Sequence, residues 1–336
     1  MILIIGFLSG IVSPVCAQGE QLGLTLAQVV DTEGVQNQSV GEIWKQFEKL
    51  EPYTLSLSMI LVIALLFAGG LLRPGGFAKA GLRDLTTLPA VVFIFAAFVV
   101  LLAQSAGPQL LSQIPWVQEQ GYTDLQMGAL NSTVSYVFAI IAGLGMLFIL
   151  KKSAATGEGE SKNGLGLSIL DFPVGLGCFL LAFPIIRLMQ ILGEFAYVQT
   201  QDAQPTGMGH ETLTTLVNDP YNPWVMVLVG GAVIGAPIVE ELIFRVFLQG
   251  AMIKWLKSPW LSIIVTSIIF ASIHRLNATP VPWHALPVLF AVGLTCGVAY
   301  ERTHRVGVPI TMHMCFNLFN VMMVLIVGTD AAQTGV

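Results

Sequence analysis

Apolar runs long enough to cross a bilayer recur along the chain and leave it few folds to choose from. We read eight of them, at residues 55–72, 86–105, 133–150, 168–193, 224–250, 260–275, 284–300 and 309–328. A helix needs about 20 predominantly apolar residues to span the hydrocarbon core, and in lipid only a helix or a closed barrel satisfies its own backbone. Runs of this length fit membrane-spanning helices, so the expected fold is an all-α polytopic transmembrane bundle. Only 10% of the 336 residues are charged, against about 25% in soluble domains. The first partner is therefore the lipid bilayer. No strongly basic patch points to nucleic acid.

Residues 2–12, with Val15 and Ala17 behind them, read as a secretory signal peptide over 1–17; an uncleaved anchor is the alternative, because no Lys or Arg precedes the apolar core. Residues 18–54 form a polar exported segment, 55–164 the N-terminal transmembrane helices, 165–328 a motif-rich core, and 329–336 a tail. A polar, Gly-containing linker around 153–166 separates the two halves. Of four cysteines, none forms a C-x-x-C pair, and Cys178, Cys296 and Cys315 read as packing residues.

Loop charges give an orientation. Arg73, Lys79 and Arg83, then Lys151, Lys152 and Lys162, then Lys254 and Lys257, then Arg302 and Arg305 fall in alternate loops, whereas 106–132 and 194–223 hold no Lys or Arg. The positive-inside rule puts the basic loops in the cytoplasm and both mature termini outside. Arg275, at the outer end of the sixth run, is the one mismatch. The chain reads as a multi-pass protein of the cell (inner) membrane.

The fifth run holds A-P-I-V-E-E-L-I-F-R-V-F-L-Q, with Glu240, Glu241 and Arg245. A charge at the bilayer centre costs roughly 2.5–3.5 kcal/mol even on insertion scales, so these groups must pair or face a polar cavity. Glu241 and Arg245 are four apart and share a helix face. Glu240 is turned by about 100° and left for proton chemistry or for a bond to a neighbouring helix. In the sixth run Ser267, Phe270 and His274 share a face; in the eighth, His313, Asn317 and Asn320 do. Counted along straight helices from the cytoplasmic ends, Glu240 and His274 both lie about 20–24 Å deep. On the same count His313 and Asn317 lie about 10 Å shallower.

A Glu beside a His can activate water as a general base, and a second His with an Asn can stabilise an oxyanion. There is no H-E-x-x-H zincin motif. No cofactor is required by motif, although two His and a Glu fit zinc by residue type.

E-E-x-x-x-R (Glu240, Glu241, Arg245), F-x-x-x-H (Phe270, His274) and H-x-x-x-N (His313, Asn317) occur in that order on separate runs. The segment Tyr300-Glu301-Arg302-Thr303 leads toward Pro309-Ile310 before the third motif. Over roughly residues 165–328 the chain resembles the CAAX protease and bacteriocin-processing family of intramembrane proteases, related to the type II CAAX prenyl endopeptidase. The resemblance implies an all-helical core in which Glu240 is the base beside His274, while His313 and Asn317 polarise the scissile carbonyl of a membrane protein or peptide substrate. It carries Glu241 and Arg245 over with the first motif. The family bears a metalloprotease label, yet a metal-free glutamate mechanism is physically sufficient. Val246 stands where the family usually has Gly, a departure that bears on packing beside the arginine.

Two other functions use the same residues. A non-catalytic scaffold or self-immunity protein would employ them as interhelical bonds. A transporter would use midplane acids to bind protons or ions, but the two halves show no convincing similarity.

Overall fold

A computed structural model describes residues 38–70, 88–154, 166–201, 211–276 and 280–333. The expected signal peptide, Cys16 and most of the linker lie outside the described residues. Those that are described form helices α1 (Gln38–Ala68), α2 (Ala90–Ser112), the short α3 (Pro115–Glu119), α4 (Asp124–Ala154), α5 (Asp171–Gln201) and the short α6 (Glu211–Asn218). Then come α7 (Pro223–Leu256), α8 (Pro259–Leu276), a 3-10 turn at Trp283–Ala285, α9 (Leu286–Thr303) and α10 (Gly307–Gln333). Among the described residues the only β pairing is an isolated bridge between Gly166 and Arg305.

Seven helices, α2, α4, α5, α7, α8, the segment Trp283–Thr303 and the first part of α10, are long and apolar enough to cross a membrane. The first expected run is the apolar end, Tyr53–Ala68, of the longer helix α1, so the junction at residue 54 falls inside a helix. The third expected run begins too late. Helix α4 starts at Asp124, where a capping box closes its first turn: the Thr123 N–H donates to Gln126 Oε1 at 2.9 Å and the Gln126 N–H to Thr123 Oγ1 at 3.3 Å. Within the expected run, Ser135 Oγ donates to the Gln104 carbonyl of α2 at 2.8 Å. Outward-facing Ile141, Phe148, Phe172 and Phe195 are exposed, as lipid-facing side chains should be.

Among the described residues, the two largest clusters of buried apolar residues span most of the bundle. Phe93 and Val100 of α2, Leu242, Val246 and Phe247 of α7, Phe270 of α8 and Tyr300 of α9 belong to one. Phe179 and Phe183 of α5 with Val292 of α9 and Met312 of α10 belong to the other. Val246 is fully buried and fills space that a glycine would leave.

Close approaches of small residues do the rest, as is usual between membrane helices. A Cβ on Gly175 would strike Thr311 of α10, and one on Gly193 would strike the His284 carbonyl oxygen. Asp171 is an intramembrane acid that could pair with another helix or reach an interface. It bonds Arg305 in the α9–α10 turn at 2.6 Å and accepts the Ser168 N–H at 2.9 Å. It thereby caps α5 and ties it to the start of α10. Arg187 is buried within α5.

Candidate active site

Helix α7 carries the carboxylates, and it is not a plain α-helix. Asn222 accepts the Trp224 N–H at 3.0 Å with Pro223 behind it, a normal start. Two π-helical segments, Gly231–Gly235 and Leu242–Leu248, then bracket the α-helical Ala236–Glu241. Pro237 follows the first of them; it lacks an N–H and its ring crowds the carbonyl four residues back. Winding the preceding turn more widely relieves both, and such π turns gather at functional sites.

Glu241 has zero exposure and two partners. Its Oε2 accepts from Arg245 Nε at 2.7 Å, the intrahelical pair that the four-residue spacing predicts. Its Oε1 lies 2.9 Å from His313 Nδ1, a contact the sequence did not suggest. Arg245 is equally buried; its guanidinium carbon sits 5.4 Å from the centre of the Phe270 ring, a cation–π distance. One turn further, Gln249 Nε2 donates to Glu301 Oε1 at 2.8 Å and to the Gly297 carbonyl at 3.3 Å. The sequence gives neither residue a role: Glu301 stands there only in the approach to the third motif, and Gln249 continues the Glu241–Arg245 stripe at the same four-residue spacing.

Glu240 points elsewhere. Its Oε2 lies 4.0 Å from His274 Nε2 and 3.8 Å from His313 Nε2, and it has no hydrogen-bond partner although the atom is buried. His274 comes from α8, where Nδ1–H donates to the Phe270 carbonyl at 2.8 Å, which turns Nε2 toward Glu240. His313 does likewise through Glu241. Each imidazole is thus held at one nitrogen and presents the other to the same carboxylate oxygen. Phe270 packs against both rings, at centroid distances of 4.7 and 5.7 Å.

His313 is therefore level with Glu240 and not about 10 Å shallower, the offset that straight-helix counting gives. The π turns pack more residues into a given length of α7, and α10 begins at Gly307, beside Asp171 within the bundle. Asn317 reaches α7 too: Nδ2 donates to the Ala232 carbonyl at 2.8 Å, inside the first π turn. Asn320 bonds back to its own helix, at the Phe316 carbonyl, and takes no part in the group.

Zinc would need its nitrogen and carboxylate ligands each about 2.0–2.2 Å from one point. Among the described residues no group of three or more His, Cys, Asp or Glu is placed to hold a metal ion.

A family model described as type II CAAX prenyl endopeptidase Rce1-like matches residues 222–319, the stretch that contains all three motifs. The match and the relatives agree with the resemblance to the CAAX protease and bacteriocin-processing family that the three motifs carry. Among relatives, it is 27% identical over 202 residues to YdiL of Bacillus subtilis (strain 168), provisionally named a membrane peptidase; the match covers 60% of this chain and 74% of that protein. It is 24% identical over 246 residues to the membrane-embedded CAAX protease MroQ of Staphylococcus aureus (strain USA300), across 71% of this chain and 88% of the relative. No solved structure matches. The CAAX protease match leaves α2 and α4 outside it, although both pack against the helix that carries the glutamates.

Proposed function

We propose that the chain is an intramembrane endopeptidase that hydrolyses a peptide bond of a membrane-associated protein or peptide. One observation carries this reading: the unpartnered Oε2 of Glu240, faced by the free Nε2 atoms of His274 and His313. A water molecule between them can donate one proton toward Glu240 and the other toward His274, leaving a lone pair for the scissile carbonyl. Glu240 takes the proton as the C–O bond forms and returns it to the leaving nitrogen as C–N breaks.

In its charged form, His313 donates from Nε2 to the developing oxyanion, with Glu241 as the counter-ion at Nδ1. Asn317 keeps a second amide hydrogen for the same oxygen. Glu241 and Arg245 hold His313 in place and form a structural clamp.

A scaffold would account for Glu241, Arg245 and Asn317, all of which bond neighbours, but it gives Glu240 nothing to do. The deciding experiment compares peptide termini in membranes of cells expressing wild type or Glu240→Gln at equal levels. Termini that vanish in the variant support the protease; identical sets of termini support the scaffold.

A further inference from the structure

Helix α8 carries a second stripe, turned away from the carboxylates. Ile268, Ala271, Ser272 and Arg275 recur at i, i+3, i+4 and i+7 and so share one face. Phe270 and His274 each stand two residues from Ser272, which sets them about 160° round the helix from it. The first three residues of the stripe line an open cleft of about 440 Å³, together with Met189 of α5 and with Trp283 and Phe290 of the segment that follows α8. Its walls are almost wholly apolar. Ile268 and Ser272 are exposed, so the cleft opens on the outside of the bundle, where a bilayer would lie.

Arg275 completes the stripe, one residue before α8 ends at Leu276. Its Nη1 donates to the Val281 carbonyl at 3.1 Å, two residues ahead of Trp283. The guanidinium therefore sits where α8 meets the returning chain, at one end of the cleft. It is exposed, and no other polar group among the described residues bonds it. Arg275 is also the basic residue that stands on the face opposite the basic loops. Ile268 lies about 10 Å from it along the helix axis.

A cation at the helix end above a hydrocarbon-lined cleft complements a molecule with a phosphate at one end and an alkyl chain at the other. Guanidinium suits phosphate because its N–H groups can bond two oxygens at once. Trp283 belongs to the residue types that gather at head-group level.

We propose that this cleft binds one phospholipid from the leaflet at the Arg275 end of α8. The Arg275 guanidinium holds its phosphate, and one acyl chain lies between Met189, Ile268, Ser272 and Phe290. The inference does not rest on the endopeptidase reading, since the lipid lies on another face of α8 from the His274 ring.

The test uses the full-length chain, purified and delipidated in dodecyl maltoside, and titrated with phosphatidylglycerol that carries a diazirine in one acyl chain. After illumination, peptide mass spectrometry locates the label. Labelling is expected to saturate and to concentrate on residues 268–275 and 283–290. Unlabelled phosphatidylglycerol should displace the probe, whereas diacylglycerol of the same chain length and inorganic phosphate should not. Arg275→Gln should raise the probe concentration needed by about tenfold, the loss expected for hydrogen bonds to a charged group. Ser272→Trp fills the cleft and should abolish labelling there, with the unfolding temperature unchanged. Label spread evenly over the lipid-facing helices, or displacement by diacylglycerol as effective as by phosphatidylglycerol, overturns the proposal. So does wild-type labelling of Arg275→Gln. If Arg275→Gln unfolds early, undiminished labelling of the same residues in Ser272→Trp overturns it instead.

Discussion

His313 Nδ1 and Glu241 Oε1 lie 2.9 Å apart, joining helices whose contact residues are 72 positions apart in the chain. Glu241 also accepts from Arg245 at 2.7 Å, so one carboxylate with no exposure serves both a cation and a histidine. Glu241→Gln leaves the Arg245 guanidinium without its anion inside the membrane. Breaking a buried pair from one side costs about 3–5 kcal/mol, so this variant should lose expression and thermal stability before anything else. Adding Arg245→Met removes the unpaired charge and should recover part of the stability. A Glu241→Gln chain that melts with wild type would contradict this.

Glu240→Gln should behave in the opposite way. Glu240 makes no hydrogen bond through Oε2 and is turned away from Arg245, so its amide analogue has little to break. Turnover should fall by about 10²–10⁴-fold, the usual loss of a general base, while the unfolding temperature stays near wild type. Unfolding in Glu240→Gln with stability kept in Glu241→Gln would exchange the two roles.

These adjacent glutamates show what the sequence can and cannot say. Their divergence, and the pairing of Glu241 with Arg245, follow from 3.6 residues per turn, because both partners sit on one helix. The helical bundle is legible too, since lipid permits so few backbones. The contact of His313 with Glu241 is not, because depth was counted along straight α-helices. The π turns at Gly231–Gly235 and Leu242–Leu248 break that count, and only Pro237 hints at them. Asn317 was visible as a polar residue on the right stripe, but its attachment to Ala232 depends on a carbonyl that the first π turn presents. The start of α4 is set by the Thr123–Gln126 capping pair, a signal that a search for apolar runs passes over.

Orientation can be tested on residues at the two faces. Lys151 and Lys152 close α4, and Tyr221, 90% exposed, precedes α7. If basic loops stay in the cytoplasm, Tyr221→Cys should react with an impermeant thiol reagent in intact cells. Lys152→Cys should react only after the cells are opened. The reverse pattern inverts the topology.

Metal dependence is settled by assay and analysis together. Each histidine holds Nε2 toward Glu240 at 3.8–4.0 Å, a spacing that can take a water molecule. Glu240-dependent cleavage by purified protein is expected to persist in excess chelator, with no stoichiometric zinc in the preparation. Activity lost to chelator and restored by one equivalent of zinc would make His274 and His313 ligands.

The last prediction concerns a glycine far from the carboxylates. After α8 ends at Leu276, the chain returns to the bundle, and the Val281 N–H donates to the His274 carbonyl at 3.2 Å. Arg275, the charge that runs against the orientation rule, donates to the Val281 carbonyl at 3.1 Å, which gives it a reason to sit there. This return is seated on α5 at Gly193, where any Cβ would collide with the His284 carbonyl oxygen. The obstacle is backbone, so it cannot rotate away. Gly193→Ala should cost about 1–3 kcal/mol by overpacking, and it should loosen the segment that caps the His274 end of α8, so that turnover falls as well. Gly177 is on the same helix with nothing within 4 Å of its missing Cβ. Gly177→Ala should leave both quantities unchanged or raise stability slightly, since alanine is the better helix former by about 1 kcal/mol. Equal behaviour of the two variants in thermal unfolding and in Glu240-dependent cleavage would show that the contact at Gly193 holds nothing in place.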